Sequence, residues 1–145
     1  MSMYMRIAFI CHFVATLLIA GFGLTYLLKT QFMSYHAAAL GMPWSAVAPK
    51  FQVLILALMK AVGGAGLAVV VLELFLLFVP FRQGAKWARW AIPAGGLIIS
   101  LGALYAMVYV SSNTPPIPPW TATPPLWAPV LCILLLVAGL VLSLL

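Results

Sequence analysis

The chain has 145 residues, of which 66% are hydrophobic and only 6% charged. A water-exposed globular surface needs roughly a quarter of its residues charged, so this composition excludes a soluble fold and makes lipid the solvent. The net charge of +6 does not point to nucleic acid, because the seven basic residues stand singly or flank apolar runs, where they act as topology signals and headgroup contacts.

A helix needs about 20 predominantly apolar residues to cross a hydrocarbon core about 30 Å thick. Four segments meet that requirement, and the expected fold is all-α, an integral membrane four-helix bundle in a single domain with no convincing internal repeat. The first span runs from about Ile7 to Leu28, between Arg6 and Lys29. Apolar runs recur as far as Leu145 with no small-residue cleavage pattern, so the first span is expected to stay in place. Between the first and second spans, Gln31 to Leu40 alternates Phe32, Tyr35 and Ala39 with more polar positions and ends at Gly41 and Pro43. That pattern predicts a short interfacial helix, either a plain connector or a lid over the outer mouth of the bundle.

The second span runs from about Val53 to Val79 and is expected to close at Pro80, Phe81 and Arg82. Gly84 allows the turn into the third span, about Trp90 to Val110, which carries Pro93 in its predicted first turn. The link from Ser111 to Leu126 contains six prolines; it is expected to be non-helical, to run as polyproline II, and to be anchored by Trp120 and Trp127. Asn113-Thr114-Pro115 lacks the third residue of a glycosylation acceptor. The fourth span covers about Trp127 to Leu145.

Arg82, Lys86 and Arg89 cluster in the link between spans two and three, and Arg6 precedes span one. Basic residues favour the cytoplasmic side, so both termini are expected there, with Lys29 and Lys50 in the opposite loop. Cys11 and Cys132 then fall in opposite leaflets, too far apart for a disulfide.

Few polar side chains lie inside the spans. Glu73 is the sole acidic residue, and seven positions before Pro80 it lies roughly 10 Å deep. His12, counted inward from Arg6, is about 9 Å deep from the same face. The two are therefore level, and an intramembrane His12–Glu73 pair is expected, serving either to tie the first two spans together or to bind a proton or ligand. Lys60 lies thirteen residues from Glu73, a rise of about 20 Å, so it belongs to the other leaflet. There it either snorkels to headgroups or forms the cationic floor of an outward ligand-binding pocket with Gln52, His36, Tyr105 and Tyr109.

On span two, Gln52, Met59, Gly63, Gly66 and Glu73 share an arc of about 80° that should face the interior. Glycines on that arc let a neighbouring backbone approach, and Gly95 and Gly96 with Ser100 on span three supply the matching small surface. A tight contact between spans two and three, through Gly63, Gly66, Gly95 and Gly96, is the packing expectation.

Several chemistries are absent. There is no H-E-x-x-H, no C-x-x-C and no run of metal ligands, so neither a metal site nor a cofactor is expected. His12 and His36 belong to opposite faces and cannot ligate one haem. A single acid excludes a two-carboxylate mechanism.

The run Pro80-Phe81-Arg82-Gln83-Gly84-Ala85-Lys86-Trp87-Ala88-Arg89-Trp90-Ala91-Ile92-Pro93 resembles the cytoplasmic hairpin of small, uncharacterised bacterial four-span membrane proteins. Tyr35-His36, Ala39-Leu40-Gly41, Trp44, Pro49, Gln52, Leu58-Met59-Lys60 and Gly63-Gly64 resemble the same group, which is loosely DoxX-like in architecture. The resemblance implies the bundle fold and a bacterial inner membrane, and it carries no activity and no catalytic residue. The leading expectation is a non-catalytic protein that binds membrane lipid or a small amphiphile, or supports a homo-oligomer or larger membrane assembly. The rivals are a proton-coupled carrier using Glu73 and His12, and an enzyme with an outward pocket around Lys60.

Overall fold

The computed structural model describes residues 1–114 and 124–145. Among them all regular structure is helical, and four helices are long and apolar enough to cross a membrane. Helix α1 spans Met3–Leu28. It starts ahead of the apolar run because Ser2 Oγ accepts the Met5 amide at 3.2 Å and caps the first turn. Helix α2, Ser34–Leu40, stops at Gly41, whose φ of 66° is left-handed and suits a residue without a Cβ. A 3-10 turn, Trp44–Ala46, follows Pro43.

Helix α3 covers Pro49–Leu76, with its proline in the first turn, where the missing amide costs nothing. Pro80 does not stop this span as expected. The backbone continues through a π turn at Leu77–Phe81 that contains the proline. Pro80 has no amide to offer Leu76, and the wider spacing absorbs that loss without ending the helix. Gly84, at φ 81°, then reverses the chain.

Helix α4, Ala88–Asn113, is longer than predicted at both ends. Its first amides bond the carbonyls of Ala85, Lys86 and Trp87, so Pro93 lies inside the helix, not in its first turn. At the other end the side chains of Ser111, Asn113 and Thr114 bond the carbonyls four residues back, at 2.8–2.9 Å. Helix therefore persists into the link that was expected to be non-helical from Ser111. The remainder of that link, including Trp120, lies outside the described residues. Helix α5 is Trp127–Leu144.

Around the bundle the order is α1, α3, α4, α5, each helix packing on its two neighbours. The core is layered. At the hairpin end, Ala8, Leu77, Phe81, Ala88 and Ile92 pack together. The middle holds Ala15, Ile19, Val70, Cys132 and Leu136, and the α2 end holds Phe32, Val47 and Met59. Outward, large apolar side chains such as Ile10, Val71, Phe75, Ile98 and Leu134 are exposed, the pattern of a lipid-facing surface.

The buried residues of α3 are Met59, Gly63, Gly66, Val70 and Glu73, most of the predicted arc. Their partner is not the one expected. Gly63 and Gly66 face α1: a Cβ built on Gly63 would stand 2.7 Å from both Gly23 O and Leu27 N, and the nearest atom to one on Gly66 is Gly23 Cα. The close backbone approach is thus between spans one and two. Gly95 and Gly96 turn instead toward Glu73, with Val69 and Leu136 beside them. The physical reason is matched depth: α1 carries its own glycine, Gly23, opposite Gly63, and two opposed glycines permit a nearer contact than a glycine facing Val69.

Candidate functional site

Two features inside the bundle carry polar chemistry, a buried layer around Glu73 and a cavity above it toward α2. Both are built by the inward faces of the same helices.

His12, Thr16 and Glu73 are all buried, at 0%, 0% and 2% exposure. The direct His12–Glu73 pair is not formed. Thr16 bonds the carboxyl instead, its Oγ1 lying 2.8 Å from Glu73 Oε2 and 2.9 Å from the His12 carbonyl oxygen. Thr16 is one helical turn from His12, so it shares the inward face and presents its hydroxyl nearer to α3. Neither ring nitrogen of His12 and no donor for Glu73 Oε1 is paired within the protein.

Glycines shape the space for both groups. A Cβ on Gly139 of α5 would meet the His12 ring at 2.7–2.9 Å, and one on Gly96 would meet Glu73 Oε1 at 2.6 Å. The rim of the His12 notch is closed by Phe81, edge-on at 5.9 Å between ring centroids.

The outward pocket expected around Lys60 is not assembled. Lys60 is exposed and donates to the Leu27 carbonyl at 2.9 Å, where an ammonium meets the negative end of α1. Gln52 donates to the Trp44 carbonyl at 2.9 Å and holds the 3-10 turn. His36 Nδ1 accepts the Met33 amide, and burial holds the imidazole below its ordinary value, in the neutral form that this bond requires. Tyr105 and Tyr109 stack on each other and are 71% and 58% exposed, pointing away from the bundle axis. Each of the five is occupied locally or turned outward, so they do not converge.

The structure places a cavity elsewhere, of about 520 Å³, between α1, α4 and α5. Leu18 and Phe22 of α1, Ala103 and Met107 of α4, and Ala128 and Cys132 of α5 are among its walls. None of the described residues lining it carries a charge. Its floor holds Ser100, whose hydroxyl donates to Cys132 Sγ at 3.2 Å; that thiol in turn faces the Ala15 carbonyl. Near α2, Tyr26 and Tyr35 share a hydrogen bond at 2.9 Å between their hydroxyls. Burial, with the Tyr26 bond, pushes the Tyr35 phenol well above its ordinary range, so it stays neutral.

Sequence reasoning overlooked Thr16, Gly23, Gly139 and the Tyr26–Tyr35 pair. Spacing on α1 held a signal for part of this: His12, Thr16, Ile19 and Gly23 recur at helical period on one face. It also overlooked Arg89, treated only as a topology signal. Arg89 turns inward and donates to the Ser143 carbonyl at 2.7 Å, neutralising the last turn of α5. Both cysteines are free.

Comparison with protein-family models, with curated proteins and with solved structures found no match. The class is therefore the one that fold and site themselves define, an all-α protein with four helices long and apolar enough to cross a membrane and a half-open cavity among α1, α4 and α5 whose described lining residues are uncharged.

Proposed function

We propose that the protein is a non-catalytic, multi-pass membrane protein that holds a neutral lipid or small amphiphile between α1, α4 and α5. The observation that carries this reading is the cavity, whose volume of about 520 Å³ falls within the roughly 300–1,000 Å³ typical of small-molecule sites. Its uncharged walls suit an apolar body, since burying an unpaired charge there would be costly. The Tyr26 and Tyr35 hydroxyls offer a hydrogen bond to an oxygen-bearing head. The ligand class differs from the anionic one that a pocket around Lys60 would have suited.

The reading includes a bacterial inner membrane with both termini cytoplasmic. Exposed Arg82 and Lys86 at the hairpin, with Arg6 at the same end of the bundle, support that orientation. Membrane lipid is then the primary partner, and self-association or a place in a larger assembly is an outcome of the test.

Native mass spectrometry of protein released from a mild detergent tests the proposal. Wild type is expected to retain a neutral lipid; Ala103→Trp, which fills the cavity, should cut retention several-fold, while Lys60→Ala should leave it intact. A bare wild-type chain, or equal retention in Ala103→Trp, overturns the binding reading. A retained second polypeptide without lipid would instead favour the accessory-subunit reading. Proton-driven flux in proteoliposomes, abolished by Glu73→Gln, would favour the carrier.

A further inference from the structure

We propose that Glu73 is a reversible proton-binding site, its carboxyl protonated on Oε2 and donating to Thr16.

Thr16 has one hydroxyl proton and two acceptors within bonding distance, the His12 carbonyl at 2.9 Å and Glu73 Oε2 at 2.8 Å. One O–H cannot serve both fully. If the carboxyl is ionised, it takes the Thr16 proton, and the short contact to the His12 carbonyl is left without its own hydrogen. If the carboxyl is protonated, Glu73 Oε2–H donates to Thr16 Oγ1, and Thr16 donates to the His12 carbonyl. Both short contacts are then made, in one direction.

The surroundings favour the uncharged form as well. From α1 the groups facing Glu73 are Thr16 and, a turn away, His12, whose ring nitrogens are unpartnered. From α4 come Gly95 and Gly96, which bring no side chain; the absent Cβ of Gly96 leaves room for Oε1, and the Gly96 backbone is the one polar group of α4 that approaches the carboxyl. From α5 come Leu136 and, beyond it, the Cys132 thiol, already engaged with Ala15 and Ser100. No cation stands against it: Lys60 donates to the Leu27 carbonyl, Arg89 donates to the Ser143 carbonyl, and Arg6, Lys29, Lys50, Arg82 and Lys86 are exposed at the ends of the helices. A carboxylate here would be buried with Oε1 unpaired and no cation against it, an arrangement that a membrane interior penalises. A proton removes the charge and leaves a neutral carbonyl.

Glu73 is the sole acidic side chain, which makes the site directly readable by infrared spectroscopy. With the full chain in liposomes at neutral pH, a protonated-carboxyl C=O band is expected. It should shift in D2O, vanish in Glu73→Gln and move to higher frequency in Thr16→Val, which cannot accept the hydrogen bond. Thr16→Ser, which keeps the hydroxyl, should leave the band in place and guards against a valine variant that fails to fold. Raising the pH should bleach the band reversibly. The proposal is overturned if no such band exists at neutral pH, if it survives in Glu73→Gln, if Thr16→Val leaves its position unchanged in folded protein, or if it fails to titrate up to the pH at which the bundle unfolds.

Discussion

At the scale of single residues, the polar contacts that matter are made by side chains of modest chemistry. Ranking residues by charge selects His12 and Glu73, but the buried bond between α1 and α3 joins Glu73 to Thr16 and not to His12. A threonine in a spanning helix ordinarily satisfies itself on the carbonyl four residues back, so its sequence carries no sign of a second partner. The glycines separate in the same way. Gly63→Ala would drive a methyl to 2.7 Å from the α1 backbone and should destabilise the bundle by about 1–3 kcal/mol, the usual cost of overpacking. Gly64→Ala meets nothing within 4 Å and should be neutral or slightly stabilising. Thermal unfolding of the two variants in one detergent checks the contrast, which fails if they lose stability equally. Arg89→Gln removes a charge-assisted bond of a kind worth about 1.5–3 kcal/mol and should speed amide exchange in the last turn of α5. Unchanged exchange there would mean that the bond contributes nothing.

At the scale of elements, helix ends depart from apolar runs wherever capping or register intervenes. Ser2 extends α1, and the back-bonding side chains of Ser111, Asn113 and Thr114 extend α4. The short helix α2 was legible from its alternation, although it starts at Ser34, later than the Gln31 predicted. Its anchoring depends on a neutral His36. Burial lowers this group from its ordinary value of 6.5, so the unfolded segment binds a proton more readily than the folded one. Its contribution to stability is therefore complete above 6.5 and is lost as the pH falls below it toward the lower folded value. Hydrogen–deuterium exchange should show segment 33–47 loosening on acidification, with the effect reduced in His36→Gln. A segment equally protected at pH 7 and pH 5 would contradict it.

For the molecule as a whole, lipid as solvent explains why so many large apolar side chains lie outside and so few polar groups inside. Between helices the apolar drive is weak in such a solvent, and close packing and buried hydrogen bonds decide the arrangement. The square order α1, α3, α4, α5 lets α1 meet α3 through Gly23 and Gly63 and meet α5 through the His12 notch at Gly139. A reporter fused in the turn at Gly84 should read as cytoplasmic if the hairpin charges set orientation. An exported reporter would invert the proposed topology while leaving the bundle itself intact.

The amino-acid sequence by itself determined the number of helices long and apolar enough to span a membrane, their approximate limits and the inward arc of α3 that carries Glu73. Those properties follow from apolar length and helical period, which are written along one dimension. Only the tertiary structure decided that Gly63 opposes Gly23 instead of Gly95, that Thr16 takes the carboxyl, and that the cavity opens among α1, α4 and α5 and not around Lys60. In lipid several pairings of helices hide similar apolar area, so the choice among them rests on where small residues and single hydrogen-bonding groups meet in space.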